Sequence, residues 1–407
     1  MQVKRLVKLG VLFVSAFFTS VGVSARNDWT LWIPETAAVP FAFSTQTLGL
    51  TVGAAGIIKG IGQPNTGLIL SGLVSDKGSS ITFLSYNNLQ VGEAWLLGLD
   101  AYNGKYAGYD YYIGDQGGND SSYNDKIKTD GEEARYNFTM RYILPWGSAS
   151  DDRARSAMNP NRTIEGSTPV SSGITTLKIQ PFYHRRTLDV PEAAHIPEST
   201  AGVRVGLDWD NRNDVRNPTL GSRFQVDLTH SPSTSDGTTW STIELEHSNY
   251  LDLGKWKGVF QEQVLALDMY LADTPTWNDC DNGLCQRPPE YAGVTLGGLY
   301  RLRGYSGERF HGRSAVHYSA EYRVLPEWQP LGSLPVFNWY DVPWWQWVAF
   351  VDVGRVADEF NLKTLHTDLK WNVGAGIRFQ VEGIVVRTEM AVGGEEGLFS
   401  VMVNQPF

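Results

Sequence analysis

Three charged residues toward the end of the chain have types and spacing that could do specific chemistry. Arg303 lies in Gly297-Gly-Leu-Tyr-Arg-Leu-Arg-Gly-Tyr305, Glu321 in Ser319-Ala-Glu-Tyr-Arg323, and Asp352 in Ala349-Phe-Val-Asp-Val-Gly354. Arginine stays charged in protein interiors, and its planar fork can bridge two carboxylates. The chemistry on offer is a lock, one guanidinium held between two acids. Motifs for covalent chemistry are missing. The chain has no Gly-x-Ser-x-Gly elbow with a His and an acid, no His-Glu-x-x-His, and no phosphate-cradling glycine loop. His184 and His247 read as interior-facing strand residues. No enzyme activity, cofactor or metal is expected.

A lock needs walls that aim these side chains at one another, and the sequence alternates as such walls do. In Ala134–Tyr142, Tyr136, Phe138, Met140 and Tyr142 share one face, and Arg135, Asn137, Thr139 and Arg141 the other. Ser222–Thr229 sets Phe224, Val226 and Leu228 against Arg223, Gln225 and Asp227. Leu369–Val381 sets Trp371, Val373, Ala375, Ile377 and Phe379 against Lys370, Asn372, Gly374, Gly376, Arg378 and Gln380. Around the acids, Val316, Tyr318, Ala320 and Tyr322 oppose His317, Ser319, Glu321 and Arg323, while Ala349, Val351 and Val353 oppose Phe350, Asp352 and Gly354. Period two over so many windows is a strand signal. Repeated from end to end, it is the signature of a transmembrane β-barrel with lipid-facing and lumen-facing residues in turn. A soluble β-sandwich or propeller is the competing all-β reading, but no blade-length repeat supports it.

The expected fold is therefore all-β: a transmembrane antiparallel β-barrel of about sixteen strands over 41–407. The strands are placed near 41–58, 66–76, 80–91, 93–103, 105–114, 134–145, 174–186, 201–212, 221–231, 239–252, 257–272, 315–325, 346–356, 368–381, 383–394 and 398–407. Asn217-Pro-Thr-Leu-Gly221 reads as a tight turn. Setting that turn on the periplasmic side puts the long segment 273–314 outside the cell, and 146–173 and 326–345 in the periplasm. The last of these carries Trp328, Phe337, Trp339, Tyr340, Trp344, Trp345 and, just beyond it, Trp347. Such a group suits an interfacial anchor or a partner-docking surface.

Composition narrows the class further. Lys4, Arg5 and Lys8 precede the apolar run Leu9–Val23, and Val23-Ser-Ala25 fits a cleavage site, so 1–25 reads as an export signal. An N-terminal anchor helix is the alternative. Residues 26–40 follow as a short periplasmic segment. Mean hydropathy is below zero although the chain has 14 Trp and is 12% aromatic, a combination that fits a barrel better than helical spans. A net charge of −10 leaves no basic footprint for nucleic acid. Cys280 and Cys285 are the chain's 2 cysteines. In an oxidising compartment they pair as one small disulfide; a metal pair is the other option, without a nearby His to complete it.

Gly297–Tyr305, with its Leu-Arg-Gly-Tyr, resembles the VRGF/Y signature of the BamA/TamA outer-membrane family, also called the bacterial surface antigen family. The resemblance implies that Leu302, Arg303, Gly304 and Tyr305 lie at the tip of an extracellular loop folded into the lumen. It also implies that Glu321 and Asp352, on the next two strands, are the charge partners of Arg303. Gly304 is expected to let the backbone turn sharply there. Phe407, with Phe399, Val401 and Val403 on one parity, resembles the C-terminal assembly signal of outer-membrane barrels. Gln405 and Pro406 interrupt that face, which suggests a closing seam that pairs incompletely. Insertases and translocases of this family carry POTRA domains before the barrel, for which Arg26–Pro40 leaves no room. The resemblance thus implies insertion, assembly or translocation of proteins in the Gram-negative outer membrane, with a passive pore or scaffold as the alternative. Expected partners are outer-membrane lipid, the barrel assembly machinery for the protein's own insertion, and a client polypeptide or separate periplasmic partner.

Overall fold

The computed structural model describes residues 35–407 apart from 46, 47, 282, 336, 382, 396 and 404. Residues 1–25, read as an export signal, lie outside the described residues, as does 26–34. Sixteen strands form one sheet in which every neighbour in sequence is a hydrogen-bonded neighbour. They are β1 Glu35–Thr45, β2 Gly49–Lys59, β3 Gly67–Ser75, β4 Ser80–Val91, β5 Trp95–Tyr111, β6 Ile127–Ile143, β7 Ile174–Leu188 and β8 Ser199–Asp210. The second half comprises β9 Gly221–Thr234, β10 Trp240–Asp252, β11 Phe260–Asp273, β12 Ser314–Pro326, β13 Trp345–Ala357, β14 Lys370–Val381, β15 Ile384–Gly393 and β16 Gly397–Val403. All pairings are antiparallel, so this is an up-and-down barrel sheet with β1 and β16 as its terminal strands. Among the described residues no helix is long and apolar enough to cross a membrane.

The count matches the expectation through two compensating differences. The stretch 41–58 is two strands, since the chain reverses between Thr45 and Gly49. The first of them begins at Glu35, so part of 26–40, expected as a short periplasmic segment, is strand. Pro40 fits there because β1 is a terminal strand, where one missing N–H is tolerated. Conversely, 93–103 and 105–114 are one strand. Gly104, which falls between those two expected strands, lies within β5 as a seat: a Cβ there would stand 2.8 Å from the Tyr106 ring and 2.9 Å from the Tyr102 hydroxyl. Those two hydroxyls hydrogen-bond across the gap.

The faces follow the alternation. Val205, Leu228 and Ile243 form an outward row through paired positions. Asp227, Glu321, Asp352 and Arg378 are buried on the inner face. His247 differs from its expected interior place. It shares the outward face with Ile243 and Leu251, where its ring nitrogens meet the Arg223 carbonyl (3.1 Å) and the Asn249 amide (2.9 Å). Those bonds satisfy it on an apolar surface. Of the aromatic segment, Trp328 and Trp347 are exposed, whereas Trp345 is buried and its indole N–H bonds the Trp328 carbonyl.

Connections alternate between the two ends. The 274–313 loop shares its end with 112–126 and 358–369; 144–173, 211–220 and 327–344 lie at the other. Leu228→Arg would put a guanidinium on the outward face at mid-strand and should cost about 2–4 kcal/mol. Refolding into lipid vesicles should therefore show a lowered denaturant midpoint, and an unchanged midpoint would contradict this orientation.

Candidate functional site

The 274–313 loop turns back into the barrel. A short hairpin, Val294–Leu296 with Phe310–Gly312, forms its neck. Leu302, Tyr305 and Phe310 are buried with Val294 and Leu296 against Tyr270, Ala272, Ala315 and Val356 of the wall. Apolar burial thus carries the loop inward, and its charges set where it stops.

Arg303 reaches the inner faces of β12, β13 and β15. Its Nε and Nη2 donate to Asp352 Oδ2 and Oδ1 at 3.0 and 2.8 Å, a two-pronged pairing, and its backbone N–H also reaches Oδ2 at 3.2 Å. Nη1 donates to Glu321 Oε1 at 2.5 Å and approaches Glu389 Oε2 at 3.4 Å. The guanidinium carbon sits 3.5 Å from the centre of the Phe350 ring, a cation–π contact in a desolvated site. Ser319 and Asn372 hold Asp352 from either side at 2.8 and 3.0 Å.

The network is larger than the two carboxylates singled out by sequence. Arg378 on β14 donates to both Glu321 and Glu389, at 2.7 and 2.5 Å. Arg323 Nε donates to Glu321 Oε2 at 2.8 Å, and Arg387 Nη1 to Glu389 Oε2 at 3.0 Å. Four guanidiniums therefore face three carboxylates. The parity that places Arg378 opposite Trp371 and Val373 was visible in sequence, and Arg387 and Glu389 alternate likewise with Val386, Thr388 and Met390. Strand pairing between β14 and β15 brings them into contact.

Gly304 has a different role from the expected one. The left-handed residue in this turn is Leu302, at φ 48°. Gly304 is required by close approach, since a Cβ there would lie 2.6 Å from Asn372 Cβ and 3.0 Å from the Gly393 nitrogen. Tyr305 continues along the same wall, its hydroxyl donating to the Trp371 carbonyl at 3.2 Å.

Three further charges fasten the loop around its rim. Arg301 pairs with Glu246 and stacks over Tyr270. Arg309 pairs with Glu395 at 2.7 Å and donates to Ser121 of the 112–126 connection at 2.8 Å. Glu308 accepts from Arg186 at 2.6 Å and from Arg135 at 3.1 Å. Burial alone would raise the Glu308 pKa, but the two arginines outweigh it and hold the carboxyl below its usual range.

Cys280 and Cys285 form a disulfide closing the small hairpin Cys280–Asp281/Leu284–Cys285 in the outer part of the loop. Phe399, Val401 and Val403 share the outward face of β16. Phe407 does not share it. The strand ends at Val403, Pro406 offers no N–H to extend the ladder, and the ring turns inward to pack with Tyr250, Val264 and Ala266. Gln405 also turns inward, its side-chain oxygen 2.6 Å from Arg378 Nη1.

An antiparallel sheet of sixteen strands with a loop pinned against its inner face defines a particular class of outer-membrane barrel. The Omp85 superfamily domain model matches residues 65–382, and the chain belongs to that superfamily. Its fold is similar to BamA from Haemophilus ducreyi lacking POTRA domains 1–3, at 15% identity and TM-score 0.51 over 91% of this chain and 69% of that one. It is also similar to CdiB from Acinetobacter baumannii (12%, TM-score 0.51, 91% and 59%) and CdiB from Escherichia coli (13%, TM-score 0.54, 93% and 62%). The chain thus spans about three-fifths of either CdiB. No curated protein matches it.

Removing one partner from a buried ion pair costs about 3–5 kcal/mol. Arg303→Ala should therefore release the loop, read as new protease cleavage between 297 and 313 in the assembled barrel; unchanged protection would refute the lock. Gly304→Ala should expose the same sites while leaving all charges in place. The Glu308 pairing contributes above the carboxyl's unfolded pKa and is lost as pH falls through its lowered folded value. Acid loosening of the loop, followed by proteolysis, should shift to higher pH in Arg186→Gln; an identical profile would remove Glu308 from the account.

Proposed function

We propose that this barrel acts in insertion, assembly or translocation of polypeptides at the Gram-negative outer membrane, without a catalytic step. The observation that carries the reading is the pinned loop. A passive pore is served by an open aqueous path, whereas here Leu302, Tyr305 and Phe310 are buried against the inner wall beside a buried ion network. A loop held by many reversible polar contacts suits a machine that changes state when it handles a client.

The terminal strands supply a surface for that work. β16 has 7 residues against 10 for β15, and a strand edge pairs readily with another chain. An exposed run Phe399, Val401 and Val403 serves the protein's own assembly by the barrel assembly machinery. Residues 1–25 direct export, and a client polypeptide or a periplasmic protein is the partner. The likeness to BamA and CdiB supports this reading through fold.

In-cell photocrosslinking from probes along 397–403 and beside Arg303 tests it. Adducts with nascent barrel proteins or a secreted polypeptide are expected. Silence at every position in a correctly assembled protein would replace the reading with a passive pore or scaffold.

A further inference from the structure

One row of side chains crosses the inner wall beside the loop tip. Register sets Ser248 of β10 opposite Asp268 of β11, and Asp268 opposite Ser319 of β12. Ser319 in turn lies opposite Asp352 of β13, and Asp352 opposite Asn372 of β14. All five are buried. The row is symmetric about Ser319, with an aspartate on each side and a neutral donor beyond each aspartate. Ser248 Oγ donates to Asp268 Oδ1 at 3.0 Å, and Asn372 Nδ2 to Asp352 Oδ2 at 3.0 Å. Aromatic rings repeat the pattern. Phe350, near Asp352 on β13, lies under Arg303, and Tyr270, near Asp268 on β11, lies under Arg301.

The two aspartates differ in one respect. Asp352 is held by Arg303 through both carboxylate oxygens. Asp268 makes no ion pair among the described residues, and Ser248 is its one hydrogen-bond donor there. Burying a carboxylate without a cation is costly, and inside a membrane barrel such a residue marks a functional position. The neighbouring network has four guanidiniums for three carboxylates. The charge missing from that count sits one strand away, at Asp268. Arg301 does not fill the gap, because its guanidinium is committed to Glu246 and to the Tyr270 ring.

We propose that Asp268 is a second binding site for the Arg303 guanidinium, so that the loop has two held positions in the lumen, one on Asp352 and one on Asp268. Ser319 and Glu321 belong to the strand between the two sites, and both already accept from Arg303, at 3.2 and 2.5 Å. They serve as the pivot. Nη1 stays on Glu321 while the other edge of the guanidinium exchanges Asp352 for Asp268. A strand spacing of about 4.8 Å puts the two aspartates about 10 Å apart across the wall, within reach of one arginine side chain and a small shift of the loop tip. The transfer strands neither acid, since Asp352 keeps Asn372 just as Asp268 keeps Ser248 now. It would draw Gly304 and Tyr305 off their contacts with Asn372, Gly393 and Trp371. This goes beyond the client reading and stands whether or not a polypeptide passes.

A double-mutant cycle on the full chain in lipid nanodiscs tests it, read as the rate of protease cleavage between 297 and 313. Asp352→Asn weakens the observed site and should send Arg303 to Asp268. Asp268→Asn should therefore speed cleavage by a factor at least fivefold larger in the Asp352→Asn protein than in wild type. A purely structural aspartate would act by the same factor in both. A ratio of factors below five means that Asp268 does not hold the released guanidinium, and overturns the proposal. Arg301→Gln separates the other loop arginine and should leave the ratio in place. A ratio that falls to one in that background assigns the site to Arg301 and overturns the proposal as well. Should Asp352→Asn not assemble, Phe350→Leu takes its place, since it removes the ring under the guanidinium and leaves every carboxylate. Client adducts in cells do not bear on this ratio, so the two readings fail separately.

Discussion

Every side-chain nitrogen of Arg303 is paired inside the sheet, and the arrangement of the lumen follows from that pairing. The charge arrives on a loop, where water would otherwise solvate it, and is carried into the barrel by apolar neighbours. Once there it needs Asp352 in two-pronged contact, Glu321 on its remaining amino group and an aromatic face beneath it. Each carboxylate then needs further donors, which Arg378, Arg323, Ser319 and Asn372 provide. Buried pairs of this kind add little net stability relative to an apolar core. Their effect is on position, because the bonds around Arg303 are made in one loop conformation and lost in others.

Much of this was legible in the chain. Period-two alternation gave strand faces, and hence the direction of Glu321, Asp352 and Arg378, since a one-residue slip would turn every side chain over. What was not legible depended on pairing between strands distant in sequence or on exceptions at edges. Glu389 was as visible as Arg378, but only the β14–β15 register shows that they meet. The strand bounds near Pro40 and Gly104 depended on local context: proline is tolerated on a terminal strand, and glycine at 104 leaves room for two tyrosines. Phe407 shared the parity of Phe399, Val401 and Val403, but parity has meaning only while the strand continues, and it ends at Val403. At Gly304 the residue type was informative, although the constraint was contact with Asn372 and not dihedral freedom.

Glu321 joins the loop to the wall near the chain's end. Glu321 accepts from Arg303 of the loop on one side and from Arg323 on the other, and Arg323 covers the ring of Phe407. Displacing Arg323 would therefore change the charge balance around Arg303.

The central claim is that the loop is held inside the barrel by its buried charge. Hydrogen–deuterium exchange in lipid nanodiscs reads this directly. The amides of Leu302–Tyr305 should exchange as slowly as those of β12 and β13, far behind those of the disulfide hairpin in the same loop. Equal, fast exchange at Leu302–Tyr305 and at the disulfide hairpin would mean that the loop is not held, and would contradict the account.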